Sequence, residues 1–142
     1  MSKMNILLAI TNIASLYPLL ICYETRDFTT FVCVSFAAMS SFVSHLLMSH
    51  KHNMIGFGTN VKLSKLLDNI DILSVVVLMI RLFYLSNNTF LFDFIGYNYF
   101  NLIILAILNL LSEKIECLYM LFHNLWHIGA FLLLGEFLLF HS

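Results

Sequence analysis

Charge is what this sequence has least of. Only 11% of its 142 residues are Asp, Glu, Lys or Arg, 61% are hydrophobic, and the mean hydropathy is +0.91. A water-soluble domain uses roughly a quarter of its residues as charges to cover its surface. The shortage excludes an ordinary soluble domain and points to an integral membrane protein. An excess of positive charge is also missing. Seven Lys and Arg against eight Asp and Glu give a formal net charge of -1, which excludes the electrostatic footprint of a nucleic-acid binder. Neither an acidic nor a basic tail is present. Cysteine is scarce as well: Cys22, Cys33 and Cys117 sit in apolar runs without Cys-x-x-Cys spacing. That excludes a disulfide or thiolate–metal framework and leaves them as small buried hydrophobes.

What is present is a series of long apolar runs. A helix crossing the hydrocarbon needs about 20 predominantly apolar residues. Five stretches meet that need, at approximately 4–22, 28–49, 66–85, 89–112 and 117–140, so the expectation is an all-α bundle of about five transmembrane helices in a single domain spanning 1–142. Glu24 to Asp27, the polar connection from His50 to Lys65 with Gly56 and Gly58 placed for a turn, Ser86-Asn87-Asn88, and Glu113 to Glu116 separate them. Gly96-Tyr97-Asn98 marks an irregularity inside the fourth. Lys3 precedes an apolar run, as in a signal peptide, but no small-x-small cleavage pattern follows, so the first run is expected to be retained. Lys3, Lys51, Lys62, Lys65 and Lys114 fall on one side, while Arg26 and Arg81 lie near the other. The positive-inside rule then places the N-terminus in the cytosol and the C-terminus opposite. The sequon Asn87-Asn88-Thr89 falls on the far side, too near the membrane to be modified.

Ionisable groups inside such spans cost on the order of 2.5 to 3.5 kcal/mol at a helix centre and are functional hypotheses by default. His45 ends the second span, Asp68 and Asp71 begin the third, and His123 and His127 open the fifth. Given the alternating directions of the spans, all five collect in one leaflet. His123 and His127 are four residues apart, which turns both imidazoles to one helix face, as a shared metal ion requires. Ser41 lies one turn before His45 in the same way. Three imidazoles supply three of the four positions around zinc and leave one for water. Asp71 would orient that water or take its proton, and Ser41 would hydrogen-bond a substrate carbonyl. Asp68 shares Asp71's face, but Asp71 lies deeper, where an unpaired carboxylate costs more, so it is the preferred base. Binding free energies of about 10 to 16 kcal/mol for structural zinc in peptides are large enough to offset several intramembrane polar groups.

The remaining polar residues read more plainly. His50 and His52 belong to a solvated connection, and His141 lies at the opposite face. Arg81 and Asp93 fall at similar depth on either side of the third connection and are expected to pair. Trp126 and the many Phe and Leu read as packing or lipid contacts.

Ser41-x-x-x-His45, Asp71 and His123-x-x-x-His127, with Asn69 to Ser74 and His123 to Ala130 around them, resemble the CREST superfamily of membrane hydrolases. That group contains alkaline ceramidases, adiponectin-receptor and haemolysin III relatives, and post-GPI-attachment phospholipase and myomaker relatives. The resemblance covers the first three helices and the last, and the fourth has no equivalent. It implies zinc held by His45, His123 and His127, with Asp71 and Ser41 serving water and substrate, and hydrolysis of an amide or ester bond in a lipid. The family has seven helices. Five would be a minimal version of that bundle, with the last helix still running in the same direction but with pocket walls missing unless a homo-oligomer supplies them.

The first functional expectation is therefore a zinc-dependent intramembrane hydrolase, ceramidase-like or phospholipase-like, acting on a membrane lipid. The alternative is a non-catalytic membrane protein that keeps the metal as a structural clip, such as a myomaker-like fusion factor or an assembly subunit. A proton-relaying transporter component is the third, and it lacks the broken helices or internal repeat that would support it.

Overall fold

The computed structural model describes residues 3–48, 60–86, 88–115 and 118–141. His50, Lys51, His52, Gly56, Gly58, Asn87 of the sequon and Cys117 lie outside the described residues. Every regular element among the described residues is helical: α1 (Lys3–Ile10), α2 (Leu16–Glu24), α3 (Phe28–Leu47), α4 (Val61–Leu85), α5 (Asn88–Tyr97), α6 (Tyr99–Lys114) and α7 (Tyr119–His141), with a 3-10 segment at Thr11–Ser15 joining α1 to α2. Pro18 explains that segment. It has no N–H to give to the preceding turn, and its ring crowds the carbonyl four residues back, so the helix tightens just ahead of it.

Among the described residues three helices are long and apolar enough to cross a membrane: Asn5–Glu24, Phe28–Leu47 and Tyr119–His141. A fourth is reached if Leu91–Tyr97 and Tyr99–Lys114, bent by 74°, count as one crossing. That bend falls at Asn98, inside the expected irregularity. The 25-residue helix α4 does not join the apolar set, because Lys62, Lys65, Asp68, Asp71 and Arg81 lie along it. It also begins before the expected 66: Asn60 caps it, its Oδ1 accepting from the amides of Lys62 and Leu63 at 3.0 and 3.1 Å.

Antiparallel packing of α3 against α4 fixes where the polar residues meet. The tight turn before α3 is a Schellman motif, with Asp27 N donating to Cys22 O and Arg26 N to Tyr23 O, and it holds Arg26 at φ 59°. Asp27 then caps α3 through Thr30 N at 3.1 Å. Arg81, near the far end of α4, reaches this cap: Nη2 lies 2.9 Å from Asp27 Oδ1 and Nε donates to Thr30 Oγ1 at 3.0 Å. This overturns the expected Arg81–Asp93 pair. Depth matched Arg81 to Asp93, but α4 lies along α3, and the nearest carboxylate at that depth is the α3 cap.

Apolar clusters hold the bundle on either side of its centre. Ile21, Cys22, Phe94, Phe137 and Leu138 join α2, α5 and α7. Val34, Ala37 and Leu78 join α3 to α4. At the other end Leu8, Met48 and Tyr119 form a third cluster. The thiols of Cys22 and Cys33 are free, the first buried and the second half-buried, as small hydrophobes would be. Between α2 and α7 the Tyr17 ring lies against Gly135: a Cβ there would lie 2.2 Å from Tyr17 Cε1, so a larger residue would have to displace that ring. The outside of the bundle is densely apolar, with Tyr84 81% and Phe100 78% exposed, while Asn5, Thr30, Ser44, Ser74 and the three histidines are buried.

Candidate metal centre

His45 projects from the last turn of α3, and His123 and His127 project from one face of α7 near its start. All three are buried. Their Nε2 atoms converge: His45 to His127 is 2.9 Å, His127 to His123 is 3.1 Å and His123 to His45 is 3.3 Å. The sequence expectation that these rings meet is met in space, and the group could hold a metal ion.

Hydrogen bonding alone does not account for the triangle. Two ring nitrogens hydrogen-bond only when one carries the proton and the other presents its lone pair. With three nitrogens in mutual contact, two must be alike, so at least one edge sets lone pair against lone pair or N–H against N–H. A cation removes the conflict, because all three lone pairs then point at it. Nitrogens about 2.0 to 2.1 Å from a tetrahedral zinc stand about 3.3 to 3.4 Å apart; the 3.3 Å edge matches that spacing and the 2.9 and 3.1 Å edges are shorter, with all three nitrogens within reach of one ion. The donor set fits a divalent cation of the zinc type.

Neighbouring rings hold the imidazoles in place. Tyr119, one turn before His123 on α7, stacks on it with centroids 4.9 Å apart and planes at 26°. Trp126 meets His127 edge-on at 5.0 Å and lies 5.6 Å from His123. Trp126 thus packs, as expected, and the rings it packs on are those of the triad. Three residues from His123 on the helix, it shares that face and walls the site.

A cleft of about 290 Å³ opens beside the triad, and it is lined by His45, His123, His127, Asp68, Asp71 and Trp126 among others. Both aspartates face it, as their spacing of three on α4 suggested. Asp71 is joined to α3: Ser40 Oγ lies 3.4 Å from Asp71 Oδ1 and 2.7 Å from Ser74 Oγ, and Ser74 Oγ donates to Asp71 O at 2.6 Å. Sequence reasoning missed Ser40 and Ser74. The signal was there, since Ser40 precedes Ser41 and Ser74 stands three residues after Asp71. Ser41 is buried, its Oγ has no hydrogen-bond partner among the described residues, and it is not one of the residues lining the cleft. Helix α6, for which no equivalent was assigned, adds Asn109 and Glu113 to the lining, four apart and hence on one face. His141 is far from the triad, its Nε2 2.8 Å from Leu85 O at the other end of α4, as expected of a residue at the opposite face.

No family model matches the chain, and no solved structure matches it. It is 30% identical over 146 residues to "Uncharacterized protein L282" of Acanthamoeba polyphaga mimivirus, an alignment covering 94% of this chain and 95% of that protein. The chain belongs to the same family as that viral protein.

Proposed function

We propose that the protein is a multi-pass membrane hydrolase that uses zinc, held by His45, His123 and His127, to cleave an amide or ester bond in a lipid. The observation that carries the reading is the Nε2 triangle with edges of 2.9, 3.1 and 3.3 Å. Three imidazoles with a fourth position facing a cleft make the ligand set of a catalytic zinc site, whereas a purely structural site is closed by a fourth protein ligand. When bound, zinc supplies Lewis-acid activation of water near neutral pH.

The chain's own residues have distinct tasks. Asp71, held from α3 through Ser40, accepts the proton of the attacking water on the cleft side. Ser41, buried one turn before His45 with no competing partner for its hydroxyl among the described residues, is the donor that the motif resemblance assigns to the substrate carbonyl. Ile72, Val75, Val76 and Trp126 give the cleft an apolar wall, while Asn109 and Glu113 make it polar on one side, which suits an amphiphile. The apolar exterior and the polar side chains buried within support a bilayer setting, where the outer surface meets hydrocarbon and polar groups must be satisfied internally. In that setting α4 is the fifth crossing, its charged residues drawn to its ends, to Asp27 and to the cleft. The motif resemblance to the CREST hydrolases points the same way.

Purified protein in lipid vesicles should release fatty acid from a ceramide or a phospholipid. A chelator should abolish release and added zinc restore it. The variant Asp71→Ala should keep its metal and lose release. Retained metal with no hydrolysis of any lipid by the wild type would leave the structural clip as the correct reading.

A further inference from the structure

The end of α3 that carries His45 is held by a side chain from another helix. Helix termini leave carbonyl groups without intrahelical partners, which is costly where water is absent. At this terminus the backbone link is weak, Met48 N reaching His45 O at 3.4 Å. Asn5 of α1, fully buried, supplies what is missing: its Nδ2 donates to His45 O at 2.8 Å and to Met48 O at 3.0 Å. The assignment of the amide is fixed by chemistry, since the reverse orientation would set Oδ1 against two carbonyl oxygens.

The same face of α1 reaches the other ligand helix. Leu8, three residues on from Asn5, shares one buried apolar cluster with Met48 and Tyr119, and Tyr119 is the ring stacked on His123. One turn of α1 thus holds the backbone of one ligand and shares a cluster with the ring that braces another. Ligand distances in a metal site hold to about 0.2 Å, so a shift of the His45 backbone is felt directly at the triangle.

From this geometry we propose that Asn5 is a positioning residue for the metal centre, setting the backbone of His45 against α7; the inference rests on the metal reading above. It contributes no ligand atom. Its part is to fix where a ligand starts, as the hydrogen-bonding partners of metal ligands do, with an expected effect of about 10- to 100-fold on metal affinity when removed.

Cobalt(II) titration of the detergent-purified full chain reads both affinity and ligand field. Asn5→Leu and Asn5→Asp, close to Asn in size and lacking its N–H donors, should weaken cobalt binding by at least about tenfold and alter the visible ligand-field bands. Asn5→Gln, which keeps the amide, should recover part of the loss. Gly135→Ala, at the far end of the bundle, should lower thermal stability and leave the cobalt bands and affinity unchanged. Wild-type bands and affinity in Asn5→Leu and Asn5→Asp would overturn the proposal, as would the same spectral change in Gly135→Ala. Failure of all three Asn5 variants to fold would also count against it, making Asn5 a general fold residue. A wild type that binds no cobalt would remove the metal reading and this inference together, whereas a normal wild type with unaffected Asn5 variants would remove this inference alone.

Discussion

At the scale of single residues, the motif spacing carried a large part of the site. A four-residue interval on a helix turns two imidazoles to one face, and opposed helix directions bring His45 to meet them. Hence spacing and helix direction suffice to group His45, His123 and His127. The partners that orient them could not, because Asn5, Ser40, Ser74 and Tyr119 reach the site through contacts between helices that no local spacing encodes. Ser40 and Ser41 illustrate the limit. They are neighbours in sequence but lie about 100° apart around the helix axis, and only Ser40 faces Asp71. Removing the α3 support of Asp71 with Ser40→Ala should lower kcat while leaving metal content intact. Asp71→Asn, which keeps the shape and loses the base, should cost about 10²- to 10⁴-fold in kcat, with the zinc retained. Equal zinc loss in both variants would instead make Asp71 a ligand.

Among the elements, the turn between α2 and α3 and the α2–α7 contact hold the bundle away from the site. Burial pushes the Asp27 carboxyl upward, but hydrogen bonds from the Thr30 hydroxyl and amide and from Arg81 outweigh it and leave the group below the usual aspartate range. A depressed folded value means that Asp27 adds stability above about pH 4, the unfolded value, and that this is lost as pH falls through the lower folded one. Thermal unfolding in detergent should therefore show a midpoint that drops from about pH 6 to about pH 3, and the drop should shrink in Asp27→Asn. Two glycines on α7 give a sharper contrast. At Gly135 a Cβ would strike the Tyr17 ring at 2.2 Å, whereas at Gly129 it would meet the end of Leu105, a side chain that can turn away. Gly135→Ala should cost about 1 to 3 kcal/mol, and Gly129→Ala should be close to neutral. The long apolar runs predicted helices here, yet the sequence reading missed the Arg81–Asp27 link because depth alone does not say which helix lies alongside.

For the whole molecule, the described helices present a densely apolar exterior and bury the three histidines and several other polar side chains beside apolar clusters. Composition alone made the helical class and the long apolar runs legible. The number of crossings is a harder question, since α4 carries charge along its length and α5 and α6 meet at 74°. Its answer depends on which surface each charged residue faces, and that is a property of packing. If α4 and the bent pair each cross once, the two termini lie on opposite sides of the membrane. Single cysteines introduced near each end, in a background lacking Cys22, Cys33 and Cys117, should then react with an impermeant thiol reagent from opposite faces of sealed vesicles. Labelling of both from one face would require an even count. The central claim is that three imidazoles from two helices share one cation, and metal content tests it most directly. Elemental analysis of the detergent-purified chain should find zinc at about one per chain, lost in His45→Ala and again in His123→Ala. A metal-free wild type, or zinc retained in both variants, would contradict it.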